Sequence, residues 1–297
     1  MRILVTGAWN CTKKQLNELE SCGHSIVFMQ NEKGEMPCAY SEVEGVICNG
    51  LFLYHPIEKF TSLHYIQLTS AGFDRVPMDY VQSRGIKIYN ARGVYSIPMA
   101  EFAICGVLQL YKKSRYFYKN QEKYEWNKNR GILELYGKTV CIVGCGSVGT
   151  ECAKRFQAFG CRVIGVDLLP RLDSNYQTIF PLSRLDEALA SADVVILTLP
   201  LTKDTRYLIN EERFRIIKSD SVLVNIARGA VVEEKALLDA LEKKLRGAVL
   251  DVFEEEPLNQ CSPLWEKENV IITPHNSFVG DGNAERLYRL IRVNLEK

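Results

Sequence analysis

The stretch Thr139–Phe156, TVCIVGCGSVGTECAKRF, decides how the chain folds. An apolar, strand-like run leads directly into Gly144, Gly146 and Gly149, and a helix-like pattern follows. In such a Gly-x-Gly-x-x-Gly turn the first glycine permits a tight turn and the second lets backbone N–H groups reach a pyrophosphate. The third lets helix and strand pack closely, with the phosphates at the positive helix N-terminus. The motif alone is weak, because glycine-rich turns are common. Its context is stronger: a strand precedes it, and CRVIGVD supplies a second strand ending in Asp167, about 20 residues on. Asp167 can accept hydrogen bonds from both hydroxyls of an adenosine ribose and would repel a 2′-phosphate, which favours NAD over NADP. The plain alternative is an acidic strand end facing solvent, and Arg171 nearby works against the NAD preference. A rival glycine signal, ILVTGAWN, has Trp9 and Asn10 where further glycines would begin, so Gly7 reads as a strand-end turn.

The same alternation extends outward in both directions. Strand-like runs lie at Ile3–Thr6, Ser25–Met29, Gly45–Cys48, Tyr65–Thr69 and Ile86–Tyr89. After a long gap come Thr139–Val143, Arg162–Asp167, Asp193–Leu197, Ser221–Asn225, Gly247–Leu250 and Val270–Ile272. These are continuous Val-, Ile- and Leu-rich runs, the mark of parallel strands covered by helices on both faces. Two sets of strand–helix repeats predict an α/β protein with two doubly wound parallel sheets. The gap reads as one helix over Ile97–Tyr118, with Ser96 as N-cap and Pro98 in its first turn. A final helix, Ala284–Glu296, has no strand after it and is expected to pack back on the first domain.

At about 150 residues per domain, 297 residues suggest two domains, each with its own core. With 37 basic against 36 acidic residues, no field of one sign exists to attract nucleic acid or an anionic membrane. No apolar run approaches the roughly 20 residues of a membrane span, and MRILVTG reads as a strand rather than a signal peptide. The ten cysteines are scattered without a C-x-x-C pair, as expected for reduced thiols in a cytoplasmic protein, with no metal site.

Beyond the glycine turn, three strands end in residues able to do chemistry. VNIARG puts Arg228 just past a strand, LDVFEEEP puts Asp251 and Glu256 past the next, and TPH puts His275 past the last. Ligands of open α/β sheets sit at those C-terminal strand ends. Each residue alone has a plain reading: a surface cation, one of three solvated glutamates, a turn histidine. Their arrival at one sheet edge favours a site.

The second half resembles the D-isomer-specific 2-hydroxyacid dehydrogenase family, through ELYGKTVCIVGCGSVG, LPLTKDTRYLIN, VNIARG, LDVFEEEP and TPH in the family's order. The first half is similar more loosely, through TSAGFD and NARGVYS…MAEFA. The resemblance implies a Rossmann dinucleotide-binding domain, residues 98–276, inserted in a flavodoxin-like substrate-binding domain, residues 1–97 plus 277–297. The glycine turn therefore falls in mid-chain. The resemblance also implies hydride transfer between NAD(H) and a 2-oxo or D-2-hydroxy acid. His275 matches the acid/base, Glu256 its orienting partner, and Arg228 the substrate-carboxylate arginine. A carboxylate beside an imidazole favours the protonated ring needed for reduction.

The cofactor set it implies is Gly144, Gly146, Ser147, Val148, Gly149, Asp167, Leu199, Pro200, Thr205, Ala227, Arg228, Asp251 and His275. Ala71 and Gly72 match the loop whose amides hold the substrate carboxylate, and Tyr95 a substrate-touching tyrosine, with a half-buried helix-entry aromatic as its plain reading. Arg228 and His275 complete the substrate set. Relatives acting on phosphoglycerate carry an arginine where Asn49 stands, and the phosphite-oxidising branch a lysine where Ala71 stands. PHNSF also departs from the commoner PHIAG. The expected substrate is a small unphosphorylated 2-oxo acid, and the expected assembly a homodimer. The alternative is an NAD(H)-sensing regulatory protein of the same fold without significant turnover.

Overall fold

Every strand pairing in this chain is parallel, in a sheet of five strands and another of seven. The computed structural model describes residues 1–297. The first part runs β1 (Arg2–Thr6), α1 (Lys13–Ser21), β2 (Ser25–Met29), β3 (Gly45–Cys48), β4 (Tyr65–Leu68), α2 (Met78–Ser83) and β5 (Lys87–Tyr89). Next come α3 (Ser96–Tyr111), α4 (Ser114–Glu122), β6 (Thr139–Val143), α5 (Ser147–Ala158), β7 (Arg162–Asp167) and β8 (Thr178–Pro181). The last part is α6 (Leu185–Ser191), β9 (Val194–Leu197), α7 (Glu211–Ile216), β10 (Val222–Asn225), α8 (Glu234–Lys243), β11 (Gly247–Leu250), β12 (Val270–Ile272) and α9 (Asn283–Leu295). Two compact units result: Met1–Tyr95 with Gly280–Lys297, and Ser96–Val279.

In the first unit the strand order is β2-β1-β3-β4-β5, the flavodoxin-like order. Side chains alternate across β1, so Leu4 joins a core with Val46, Ile66 and Leu68, while Ile3 and Val5 enter another. That second core is completed from far along the chain, by Leu287, Tyr288 and Ile291 of α9. Tyr288 stacks on buried Trp9 with ring centroids 6.1 Å apart, and Asn294 Nδ2 donates to Gln67 Oε1 at 2.9 Å. The last helix thus packs on the first sheet, as its sequence position suggested. Thr12 and Gln15 start α1 by capping each other's backbone N–H.

In the second unit the order β12-β11-β10-β9-β6-β7-β8 reverses direction between β6 and β9, the Rossmann arrangement. Val140, Ile142, Val194, Ile196 and Val249 face Ala103, Val107 and Phe156 of α3 and α5. Cys141, Val143, Val195 and Leu197 face Leu189, Phe214, Leu237 and Leu241 of α6, α7 and α8. Burying each such aliphatic side chain contributes about 1.5–3 kcal/mol, which is why these strands lack polar alternation. A Cβ on Gly106 would lie 2.6 Å from Val249 Cγ1, so that glycine lets α3 lie close on β11.

Two elements differ from the sequence reading. The expected helix Ile97–Tyr118 is two helices, broken where Lys113 takes φ +52° and Leu133 N–H claims the Tyr111 carbonyl. Ser96 is the buried first residue of α3 rather than an exposed cap. β8 was not expected: it is a short edge strand ending in Pro181, and a proline is tolerated at an edge.

Candidate active site

The glycine turn sits where β6 delivers the chain to α5. Gly144 has φ +98°, and a Cβ there would lie 2.8 Å from the Leu199 nitrogen. A Cβ on Gly149 would lie 2.2 Å from the Gly144 carbonyl oxygen, so the first turn of α5 rests on the strand exit with no room for a methyl. Gly146, just before α5, differs: a Cβ there would meet nothing within 4 Å. Open space at a helix N-terminus, next to Ser147 and Val148 in the first turn, fits a phosphate that must touch the backbone. Thr198 Oγ1 donates to the Gly144 carbonyl at 2.6 Å, so the loops after β6 and β9 are bonded to each other at the switch point.

Asp167 ends β7. Its Oδ2 accepts from Cys145 N–H at 2.7 Å and its Oδ1 from Leu169 N–H at 3.0 Å. A carboxylate has about four acceptor positions, so two remain for a pair of ribose hydroxyls. Arg171 donates through Nη2 to the Cys145 carbonyl at 2.5 Å and lies 3.5 Å from Asp173. Cys145, between the glycines, is buried, and burial pushes its thiol up to about 12. It is an inert filler for the gap at Gly165, where a Cβ would lie 2.4 Å from its sulfur. After β9, the Thr205 hydroxyl donates to the Pro200 carbonyl at 2.8 Å and accepts from Thr202 N–H at 2.7 Å. Thr205 therefore shapes the loop that carries Leu199 and Pro200.

The chemistry-bearing residues follow β10, β11 and β12, three adjacent strands. After β10, Asn225 Oδ1 accepts from Ala227 N–H and Nδ2 donates to the Arg228 carbonyl, both at 3.1 Å. Arg228 Nη1 donates to the Ala227 carbonyl at 2.7 Å. A Cβ on Gly229 would fall 1.8 Å from the Phe253 carbonyl carbon, so only glycine lets the Arg228 loop lie against the Phe253–Glu254 peptide. Asn225 and Gly229 were not singled out from sequence; an amide-bearing strand end next to a glycine was the available signal.

Asp251 is fully buried after β11. Its Oδ1 accepts from Thr273 Oγ1 and Asn276 N–H, each at 2.7 Å, and its Oδ2 from Ser277 N–H at 3.0 Å. The residue expected near the nicotinamide is thus also the anchor of the loop that carries His275. His275 itself takes φ +52°, with its N–H donating to the Asp251 carbonyl at 2.8 Å. A non-glycine residue in that region is held there by its surroundings. Its ring Nδ1 lies 2.8 Å from Glu256 Oε2, while Glu256 Oε1 accepts from Phe253 N–H at 3.0 Å. The pair is neither buried nor fully solvated, with side-chain exposures of 43% and 37%, so the ring is reachable. Phe278 meets the ring edge to face, with centroids 6.1 Å apart.

The first unit places Ala71, Gly72 and Tyr95 beyond β4 and β5. Asn90 Nδ2 donates to the Ala71 carbonyl at 2.6 Å and Ser70 Oγ to the Gly72 carbonyl at 3.1 Å. The Tyr95 hydroxyl donates to the Thr69 carbonyl, and burial raises its pKa.

Residues 104–277 match the family described as D-isomer specific 2-hydroxyacid dehydrogenase, NAD binding domain. The chain is 36% identical to a glyoxylate reductase of Thermofilum pendens over 243 residues, 79% of this chain and 71% of that protein. It is 37% identical to a D-3-phosphoglycerate dehydrogenase of Methanocaldococcus jannaschii over 223 residues, 74% of this chain but only 42% of that longer protein. Among solved structures, D-lactate dehydrogenase from Aquifex aeolicus, complexed with NAD and lactic acid, superposes with a TM-score of 0.79 at 28% identity, covering 99% of this chain and 94% of that one. A nicotinamide cofactor fits the glycine turn and Asp167, and the chain belongs to the D-isomer specific 2-hydroxyacid dehydrogenase family.

Proposed function

We propose that the protein is an NAD(H)-dependent reductase of a small unphosphorylated 2-oxo acid, giving the D-2-hydroxy acid. The observation that carries this reading is the His275–Glu256 pair at 2.8 Å. With Nδ1 directed at the carboxylate, Nε2 is the ring atom left to pass a proton to the substrate ketone oxygen. Glu256, 2.8 Å from Nδ1, fixes the orientation of the ring. The planar fork of Arg228 suits a carboxylate bound in two-point fashion. Ala71, Gly72 and Tyr95 are also assigned to substrate binding. A bound nicotinamide supplies or accepts the hydride. Gly144, Gly146, Ser147, Val148, Gly149, Leu199, Pro200, Thr205, Ala227 and Asp251 are assigned to holding the cofactor.

Two observations refine the ligands. Asp167 keeps acceptor capacity for ribose hydroxyls, and Arg171 is already engaged by Cys145 and Asp173, which supports NAD over NADP. Glu32 accepts from Asn49 N–H at 2.7 Å and Gly50 N–H at 2.8 Å, placing negative charge where a phosphorylated substrate would need a cation. Homodimerisation is supported by the exposed aromatics Tyr118, Tyr124, Trp126 and Tyr136, ring surface that a partner could cover. No helix is long and apolar enough to cross a membrane. The ten free cysteines support a reducing, cytoplasmic setting.

A panel of 2-oxo acids with NADH and NADPH tests the reading. Turnover is expected with NADH on an unphosphorylated acid, reduced at least about 100-fold in His275→Ala, the lower range of general acid–base catalysis. No turnover across the panel with NADH still bound would overturn the enzyme reading in favour of a sensor. Near wild-type turnover by His275→Ala would end the role given to that ring.

A further inference from the structure

The loop after β9 and the loop after β11 are joined by a cluster outside the residues assigned above. Glu254 Oε1 accepts from Arg206 Nη2 at 2.9 Å and also from the Tyr207 hydroxyl. The Arg206 guanidinium carbon lies 4.6 Å from the centroid of the Tyr207 ring, and Nη2 donates to the Tyr207 hydroxyl at 2.9 Å. Tyr207 takes φ +51°, a region a bulky residue occupies only when its neighbours impose it. Its N–H donates to the Ala230 carbonyl at 2.8 Å, which ties the same loop to the one bearing Arg228.

The cluster is not explained by stability alone. Arg206 and Glu254 are 51% and 35% exposed, and an exposed ion pair adds little to a fold. Its placement says more. Upstream along the chain are Leu199, Pro200 and Thr205, and two residues downstream of Glu254 is Glu256. The N–H of Phe253, the residue before Glu254, donates to the Glu256 carboxylate at 3.0 Å, and that carboxylate holds His275. Through Glu254, a displacement of the β9 loop would reach the residue next to the one whose N–H holds Glu256.

We propose that Glu254 is a positioning residue: held by Arg206 and Tyr207, it couples occupancy of the cofactor loop after β9 to the orientation of Glu256 against His275. The inference rests on the assignments of that loop and of His275 made under the proposed function. Coupling of this kind is reciprocal, so what steadies one loop raises ligand affinity at the other.

The test uses ADP-ribose, which has no nicotinamide ring to touch His275. Only four histidines are present, so the ring signals of His275 can be assigned in isotope-labelled protein by comparison with His275→Gln. Adding ADP-ribose should shift those signals in the unmodified chain. In Glu254→Gln, Glu254→Ala and Tyr207→Phe the shift should be lost, with ADP-ribose affinity down on the order of 5-fold. Glu187→Ala, which breaks an exposed pair with Arg184 elsewhere on the surface, should behave as the parent chain. In turnover, Glu254→Ala should lower kcat in the parent but add no further loss to Glu256→Gln, because nothing is left to position. An unchanged His275 shift in the Glu254 variants, or additive losses in the double variant, overturns the proposal while leaving the dehydrogenase reading intact. Absence of ADP-ribose binding removes the cofactor assignment and the coupling together.

Discussion

Replacing each glycine of the turn by alanine separates what the fold needs from what the ligand needs. At Gly146 the added methyl meets nothing within 4 Å, and φ there is −75°, which any residue adopts. The fold should therefore change by no more than about 1 kcal/mol, the range of an N-cap exchange. The same methyl would stand where a pyrophosphate must come close to the backbone. Losing one charge-assisted hydrogen bond, worth about 1.5–3 kcal/mol, corresponds to roughly 10- to 100-fold weaker NADH binding. At Gly149 the added carbon would lie 2.2 Å from the Gly144 carbonyl oxygen, which is backbone and cannot swing aside. That variant should lose about 1–3 kcal/mol of stability, or several degrees in Tm. Gly144→Ala combines a 2.8 Å clash with φ +98° and should be destabilised as well. Thermal melts with fluorescence titration of NADH read both quantities on each protein. If Gly146→Ala binds NADH within twofold of the parent, or melts as low as Gly149→Ala, the space at Gly146 is not the pyrophosphate site.

Gly229→Ala must push the Arg228 loop off the Phe253–Glu254 peptide by more than about 1 Å, and a misplacement of about 1 Å already costs on the order of 100-fold in rate; initial-rate kinetics with a 2-oxo acid would show it, and a loss below threefold would contradict the packing argument. Asp251→Ala would strand the Thr273 hydroxyl and the Asn276 and Ser277 N–H groups, each at about 1–3 kcal/mol, so chemical denaturation should show a loss of several kcal/mol together with lost turnover. At Asp193, burial opposes ionisation, yet the Lys218 ammonium and Thr139 N–H outweigh it and hold the carboxyl below its ordinary value. Its folded pKa being depressed, the stabilisation is present above about pH 4 and is lost as pH falls through the folded value. Lys218→Ala should move the acid-unfolding midpoint upward, as followed by circular dichroism, and an unmoved midpoint would count against the ion pair.

The parallel strands were legible because burial on both faces leaves an unmistakable apolar run, as in TVCIV and GVIC. β8 was not, because an edge strand is covered on fewer sides and TIFP carries a proline. The break between α3 and α4 was hidden for a different reason: Lys113 adopts a left-handed conformation that sequence usually announces with glycine or asparagine. At the candidate site, the types of Arg228, Glu256 and His275 were readable because few other residues can do that chemistry. The supports were not. Whether Asp251 faces a ligand or the underside of the His275 loop depends on three donors from residues 22 or more positions away. Likewise, the link of Glu254 to Arg206 and Tyr207 crosses more than forty positions.

The dependence of the first sheet on α9 has a consequence for how the protein is made. Ile3, Val5 and Trp9 leave the ribosome early, yet the Leu287, Tyr288 and Ile291 side chains that cover them are translated only after the whole of Ser96–Val279. At about 5–20 residues per second, one apolar face of the nascent sheet stays uncovered for roughly ten to forty seconds. The seven-stranded unit is free to fold during that interval, so the order of synthesis runs against the order of completion.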